Sequence, residues 1–233
     1  MRPAAFSSAL GTNPAAVLLQ PRAHNPTGIS MSKGRAEELA GILRRSRTAQ
    51  NTIVIEDDHS GAISSSADVT LASWLPDRVL HVRSFSKSHG PDLRIGAIGG
   101  PRPLVDRVVA RRLLGPGWTS RMMQAILHEL LTHPESIAQI DEARRLYAER
   151  QVKLAAAVRE AGGWLAGGDG INTWLRVADE RAATVQLAAV GIRVAQGGPF
   201  QLGDQPPYLR VTVGALRDEV DAVGAALAVA QNA

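Results

Sequence analysis

Residues 84–96 read Ser84-Phe85-Ser86-Lys87-Ser88-His89-Gly90-Pro91-Asp92-Leu93-Arg94-Ile95-Gly96. A lysine stands between two small hydroxyl residues, and an arginine follows seven residues later. The flanking stretches Arg78–Phe85 and Leu93–Ile98 read as two strands. Towards the N-terminus the same signal recurs. Ala15–Gln20 is an apolar run stopped by Pro21, and Thr52–Ile55 is a β-branched run that ends abruptly in Glu56, Asp57 and Asp58. Between these two runs Ser32 can cap a helix to about Arg45, with Ala36, Leu39, Ile42 and Leu43 on one face. Strand and helix signals in alternation predict an α/β fold, a mostly parallel sheet covered by helices.

From Leu104 to about Gly162 the pattern is helical, interrupted near Gly115–Gly117 and Pro134. In its last segment Ile137, Ile140, Tyr147, Gln151, Leu154 and Val158 follow three-to-four spacing. Strands are then expected at Ile171–Val177, Ile192–Ala195 and Tyr208–Val213, with helices from about Arg181 to Val190 and Asp218 to Val229. The last part is α+β in order and reads as a smaller domain. The expected division is 1–145 for the larger domain and 146–233 for the smaller.

Composition narrows the chemistry. The 233 residues contain no cysteine, which excludes disulfides, thiolate metal sites and cysteine nucleophiles. No apolar stretch approaches the length of a membrane span, and Met-Arg-Pro-Ala-Ala-Phe has no signal-peptide core. The net charge of +4 is small, and no aromatic-basic ladder exists, so nucleic-acid binding by these residues alone is not supported.

Three polar clusters follow predicted strands: His24-Asn25-Pro26-Thr27-Gly28, Glu56-Asp57-Asp58-His59 and Ser84-Phe85-Ser86-Lys87. Ligands of open α/β sheets sit outside the carboxyl ends of the strands, so the clusters are expected to converge on one crevice. A strand-end carboxylate, a lysine preceded by small hydroxyls, and an arginine suit an anionic, nitrogen-bearing cofactor. Lysine amines attack carbonyls once their pKa is depressed, and serine hydroxyls with Arg94 offer donors to a phosphate.

In order and spacing, the segments AHNPTG, VIEDDH and SFSKSHGPDLRIG resemble fold-type I pyridoxal-phosphate-dependent aminotransferases of class I/II. They are most similar to the aminotransferase-like domain of MocR-type regulators in the GntR superfamily. Arg145-Leu146-Tyr147, GINTWLRV at 170–177 and YLRVTVGAL at 208–216 extend the resemblance over essentially the whole chain. It implies the cofactor pyridoxal 5'-phosphate, with Lys87 as the Schiff-base lysine and proton carrier. It implies Asp57 as partner of the pyridine nitrogen, which keeps the ring an electron sink. Asn25 is implied as partner of the phenolic oxygen, Ser84, Ser86 and Arg94 as the phosphate cradle, and Arg210 as the clamp on a substrate carboxylate.

Two departures stand out. Where the family commonly carries a tyrosine after the aspartate, this chain has His59, whose charge varies near neutral pH. Residues 1–24 contain neither the phosphate loop nor the ring-stacking aromatic that the resemblance implies. The chain is therefore expected to be the C-terminal part of a longer domain: a truncated, mis-called or split product. The resemblance implies transamination of an amino acid or related amine in the cytoplasm, by a homodimer when complete. The alternatives are an effector-sensing domain that touches DNA only through an N-terminal domain absent here, or an inactive remnant.

Overall fold

In the computed structural model, which describes residues 1–233, the apolar run before Pro21 forms β1 (Ala16–Leu19) and the β-branched run after Thr52 forms β2 (Ile53–Asp58). The chain divides into two units. The first comprises Met1–Arg22, Met31–Ala62 and Ala67–Ile140; the second comprises Ala23–Ser30, Ile63–Ser66 and Asp141–Ala233.

In the first unit β3 (Val79–Ser84) and β4 (Gly96–Gly99) complete a four-stranded sheet in the order β1-β2-β3-β4. β1, β2 and β3 run parallel, and β4 lies antiparallel to β3. Helix α1 (Pro3–Leu10), which the sequence reading does not anticipate, starts with proline where a helix needs no N–H, and it buries Phe6 and Leu10. Helix α2 (Lys33–Arg45) begins as expected at Ser32, whose side chain accepts from the Arg35 N–H. It buries Ala36, Leu39 and Leu43, and Ile42 packs at the edge of the same core beside Val54, Leu71 and Val79. Each such aliphatic side chain removed from water contributes on the order of 2 kcal/mol. Helices α3 (Arg102–Arg112) and α4 (Arg121–Thr132) follow, separated near the glycines as expected.

Two strand expectations need correction. β2 does not stop at Ile55 but runs on through Glu56, Asp57 and Asp58. The expected strand at Leu93–Ile98 begins only at Gly96, because Pro91–Leu93 form a single tight helical turn and Arg94 adopts a left-handed backbone, φ 49°.

In the second unit, α5 (Pro134–Glu160, belonging here from Asp141 on) supplies Leu154 and Val158 to a core shared with Leu175, Leu187, Leu209 and Leu227. β5 (Asn172–Arg176), β6 (Ala195–Gln196) and β7 (Tyr208–Thr212) form an antiparallel sheet in the order β5-β7-β6. Helix α6 (Glu180–Ala189) is capped by the Asp179 carboxylate, which accepts from the Ala182 N–H at 2.7 Å, and α7 (Val220–Ala230) closes the chain. β6 starts at Ala195 rather than Ile192. Ile192 and Val194 pack on the core without joining the sheet. No helix is long and apolar enough to cross a membrane.

Candidate functional site

Side chains alternate along β2, so Glu56 and Asp58 point to one buried side and Asp57, half-buried, to the other. The Asp57 carboxylate accepts from Gln20 Nε2 at 2.9 Å, an amide that the sequence reading misses. Its other oxygen is left for a further donor. Immediately after the strand comes His59, whose Nδ1 is buried without a hydrogen-bond partner. Burial pushes this imidazole below its ordinary range; the carboxylates of Asp57 and Asp58 oppose the shift and the Lys87 ammonium adds to it. His59 therefore lies in the field of both Asp57 and Lys87.

Lys87 sits in the turn after β3, exposed, and no carboxylate is paired with it. The turn is anchored at its start. The Ser86 N–H donates to Ser84 Oγ at 3.3 Å, the Phe85 N–H donates to the Ile95 carbonyl at 3.3 Å, and the His89 N–H donates to the Phe85 carbonyl at 2.8 Å. Ser84 and Ser86 are half-buried and Arg94 is exposed. Gly61 lets the turn after β2 approach this segment. It has φ 54°, and a Cβ there would come within 3.3 Å of the Ser84 carbonyl.

On the opposite side of β2 a charge network holds the strand. Asp58, fully buried, accepts from Arg22 Nε at 2.9 Å and Nη2 at 2.8 Å, from the Gly61 N–H at 3.2 Å, and pairs with Arg83. Glu56, also fully buried, accepts from Thr70 Oγ1 at 2.6 Å and the Leu71 N–H at 2.7 Å. His81 lies between them, 3.2 Å from Glu56 and 3.6 Å from Asp58, and these hydrogen bonds push it up to about 9. Burial alone would raise the Asp58 carboxyl. Hydrogen bonds from His81 and Arg22, with the charges of Arg22 and Arg83, outweigh burial and hold it well below the usual carboxylate range.

Asn25 and Arg210 belong to the second unit. Arg210 Nη1 donates to Asn25 Oδ1 at 3.2 Å, and the guanidinium lies 4.7 Å from the centre of the Phe200 ring. Trp174, the register partner of Arg210 across β5 and β7, stacks on Tyr208 with ring centres 5.1 Å apart and meets Phe200 edge-on at 6.2 Å. Of the eight residues singled out from sequence, Asp57, His59, Ser84, Ser86, Lys87 and Arg94 share the first unit; Asn25 and Arg210 share the second. Gln20, Phe200 and Trp174 escape the sequence reading, because nothing local distinguishes a functional amide or aromatic from a packed one.

A free lysine amine, a strand-end carboxylate and serine hydroxyls past parallel strands define a group-transfer domain suited to an anionic carbonyl cofactor. The chain belongs to the family of class I and class II aminotransferases, whose profile matches residues 3–227. It is 35% identical over 234 residues to the vitamin B6 salvage pathway transcriptional repressor PtsJ of Salmonella typhimurium, covering 100% of this chain and 54% of the repressor. It is 28% identical over 153 residues to the mitochondrial kynurenine/alpha-aminoadipate aminotransferase of Bos taurus, covering 63% of this chain and 34% of that one. Among solved structures, the kynurenine aminotransferase of Pyrococcus horikoshii, in complex with PMP, superposes with a TM-score of 0.84 at 20% identity. That match covers 99% of this chain and 60% of that one. The chain thus spans about half the length of the PtsJ repressor.

Proposed function

We propose that this chain carries the cofactor-attaching and carboxylate-recognising groups of a pyridoxal-phosphate-dependent aminotransferase domain. The observation that carries the reading is the unpaired Lys87 amine, set after β3 in the field of the His59 imidazole, whose Nδ1 is buried without a partner while its Nε2 meets Ser60 Oγ at 3.2 Å. When bound, the cofactor supplies an electron sink for the α-carbon of an amino acid. Lys87 holds it covalently and carries a proton. Asp57, fixed by Gln20, would accept a charge-assisted hydrogen bond from the protonated ring nitrogen and so keep that proton in place. Ser84, Ser86 and Arg94 hold the phosphate, His59 donates to or accepts from a ring oxygen, and Asn25 is the further amide partner of the phenolic oxygen. Arg210 grips the α-carboxylate, and its contact with Asn25 fixes which face of the guanidinium is offered. The larger, cofactor-binding domain is taken as residues 1–145 and the smaller as 146–233. The whole protein is read as a cytoplasmic homodimer that uses an amino acid or related amine.

A second reading is favoured by the likeness to PtsJ along the entire chain. In it the same groups sense a ligand for a transcription regulator, and DNA is touched only through an N-terminal domain. Both readings require Lys87 to attach the cofactor. Pyridoxal 5'-phosphate added to the chain is expected to give a visible absorption band, and borohydride reduction followed by peptide mapping to place the pyridoxyl group on Lys87. Label spread evenly over Lys33, Lys87 and Lys153 would sink the assignment.

His59 gives a finer test. Because burial keeps its imidazole neutral further into the acid range than a free histidine, the bound cofactor's absorbance should titrate at a different pH in His59→Tyr, where a phenol takes its place. Superimposable titration curves for the two proteins would remove His59 from the cofactor's surroundings.

A further inference from the structure

The carboxylate of Asp169 is 7% exposed and has no part in the chemistry described above. It gathers donors from three separate stretches of the second unit. Ser30 Oγ donates to Oδ2 at 2.9 Å, and Ser64 Oγ donates to the same oxygen. Ser65 donates to Oδ1 through both its N–H, at 2.8 Å, and its Oγ, at 2.9 Å. The Ser66 N–H reaches Oδ2 at 3.2 Å, and the Gly170 N–H reaches Oδ1 at 2.8 Å. A carboxylate has about four lone-pair sites, so this one is saturated. Burial would raise its pKa; the bonds from Ser64, Ser65, Ser66 and Ser30 hold it down to about 2. No ion pair is recorded for Asp169, and hydroxyls and amides carry the whole of that offset.

What these bonds fix is the turn that presents Asn25. Ser30 Oγ, while donating to Asp169, accepts from the Ala23 N–H at 2.9 Å and so closes the mouth of the turn. The Asp169 N–H donates to the Gly28 carbonyl at 2.8 Å, giving a second, independent tie. The approach is close enough to demand glycine: at φ 68°, a Cβ on Gly28 would meet the Asn172 carbonyl at 2.5 Å. Inside the turn the Gly28 N–H donates to the His24 carbonyl at 2.7 Å and the His24 N–H to the Ile29 carbonyl at 3.0 Å. From Asp169 the chain runs directly into β5, which pairs with β7 and so with Arg210; Arg210 then donates to Asn25. The circuit from Asp169 through the turn to Asn25, Arg210, β7, β5 and back is closed.

We propose that Asp169 is a positioning residue for the Asn25–Arg210 pair, setting the distance and orientation between the Asn25 amide and the Arg210 guanidinium. Its functional meaning rests on the reading of Arg210 as a carboxylate clamp; the geometric coupling does not. A misplacement of about an ångström at such a pair can cost about a hundredfold in the step it serves.

The test compares Asp169→Asn with Ser30→Ala and Ser65→Ala in the full chain. Side-chain NMR would follow the Arg210 Nε–H and Asn25 amide signals, and hydrogen exchange the amides of Leu175 and Leu209 in the β5–β7 ladder. In Asp169→Asn the Asn25 signals should shift and Arg210 Nε–H exchange should quicken about tenfold, while the ladder amides stay within about twofold. Ser65→Thr, which keeps the hydroxyl, should restore the wild-type spectrum. Unchanged Arg210 and Asn25 signals would overturn the proposal, as would ladder protection falling by the same factor, since Asp169 would then hold only the fold. If Asp169→Asn does not fold, the serine variants decide, with an expected quickening of about threefold for one lost bond. Failure of the wild-type chain to prefer a carboxylate over its amide would refute the clamp alone, and the NMR comparison would still judge the positioning.

Discussion

Replacing Asp58 by asparagine is expected to destabilise the chain by about 3–5 kcal/mol, the cost of removing one partner from a buried ion pair. Asp58 has no exposed side-chain surface, and that of Arg22 is 8% exposed. The amide can accept one of the two Arg22 bonds but offers its own N–H to the other, and it leaves Arg83 and His81 without their shared anion. Asp68 is the control. It also meets Arg22 and Arg83, but its side chain is 52% exposed, so Asp68→Asn should cost no more than about 1 kcal/mol. The network also gives stability a shape in pH. His81 is raised in the folded chain to about 9, so its contribution is complete below its unfolded value of about 6.5 and is lost as pH rises through about 9. Asp58 is depressed, so its contribution is present above the ordinary aspartate value of about 3.9 and lost as pH falls below it. Urea midpoints should therefore decline as pH rises from about 6.5 through about 9, and that alkaline decline should vanish in His81→Gln. On the acid side the lowered His59 and His89 add a loss below about pH 6.5, ahead of that from Asp58. A midpoint that rises from pH 7 to 9.5 would contradict the assignment of a protonated bridge.

That network also explains where sequence reading succeeded and where it stopped. β1 and α2 were legible because their signals are local: an apolar run cut by Pro21, and a Ser32 cap ahead of a three-to-four apolar stripe. The end of β2 was not, because three carboxylates in a row argue against a strand. Their compensation comes from β3, which places His81 opposite Glu56 and Arg83 opposite Asp58, a pairing invisible until the register is known. Leu93 and Ile95 imitated a strand start, but Pro91 favours a tight turn and Arg94 takes a left-handed backbone. Lys87, Asp57 and Asn25 could be singled out because each lies in a contiguous motif. Asp169 could not, since in GGDGIN it reads as a turn former and its partners at 30 and 64–66 lie more than a hundred residues away.

Arg210→Ala is expected to remove the chain's preference for a carboxylic acid over the corresponding amide, a loss of about tenfold to a hundredfold for charge-assisted bonds of about 1.5–3 kcal/mol. An arginine in a β-branched strand is out of place unless its head is used. Here its neighbours keep it oriented without neutralising it: Asn25 is uncharged, and the Phe200 face attracts a cation without offering it an anion. The Nε is buried without a partner, so the guanidinium enters binding with unspent donor capacity. Arg210→Lys separates charge from shape. A point-like ammonium keeps the attraction and loses the flat, two-pronged grip, so its preference should fall between those of wild type and alanine. Phe200→Leu should shift it less, since a cation–π contact contributes about 0.5–2 kcal/mol. The measurement is the ratio of dissociation constants for an aromatic monocarboxylate and its amide, read for each variant by calorimetry. A ratio that stays at its wild-type value in Arg210→Ala would show that the carboxylate is held elsewhere.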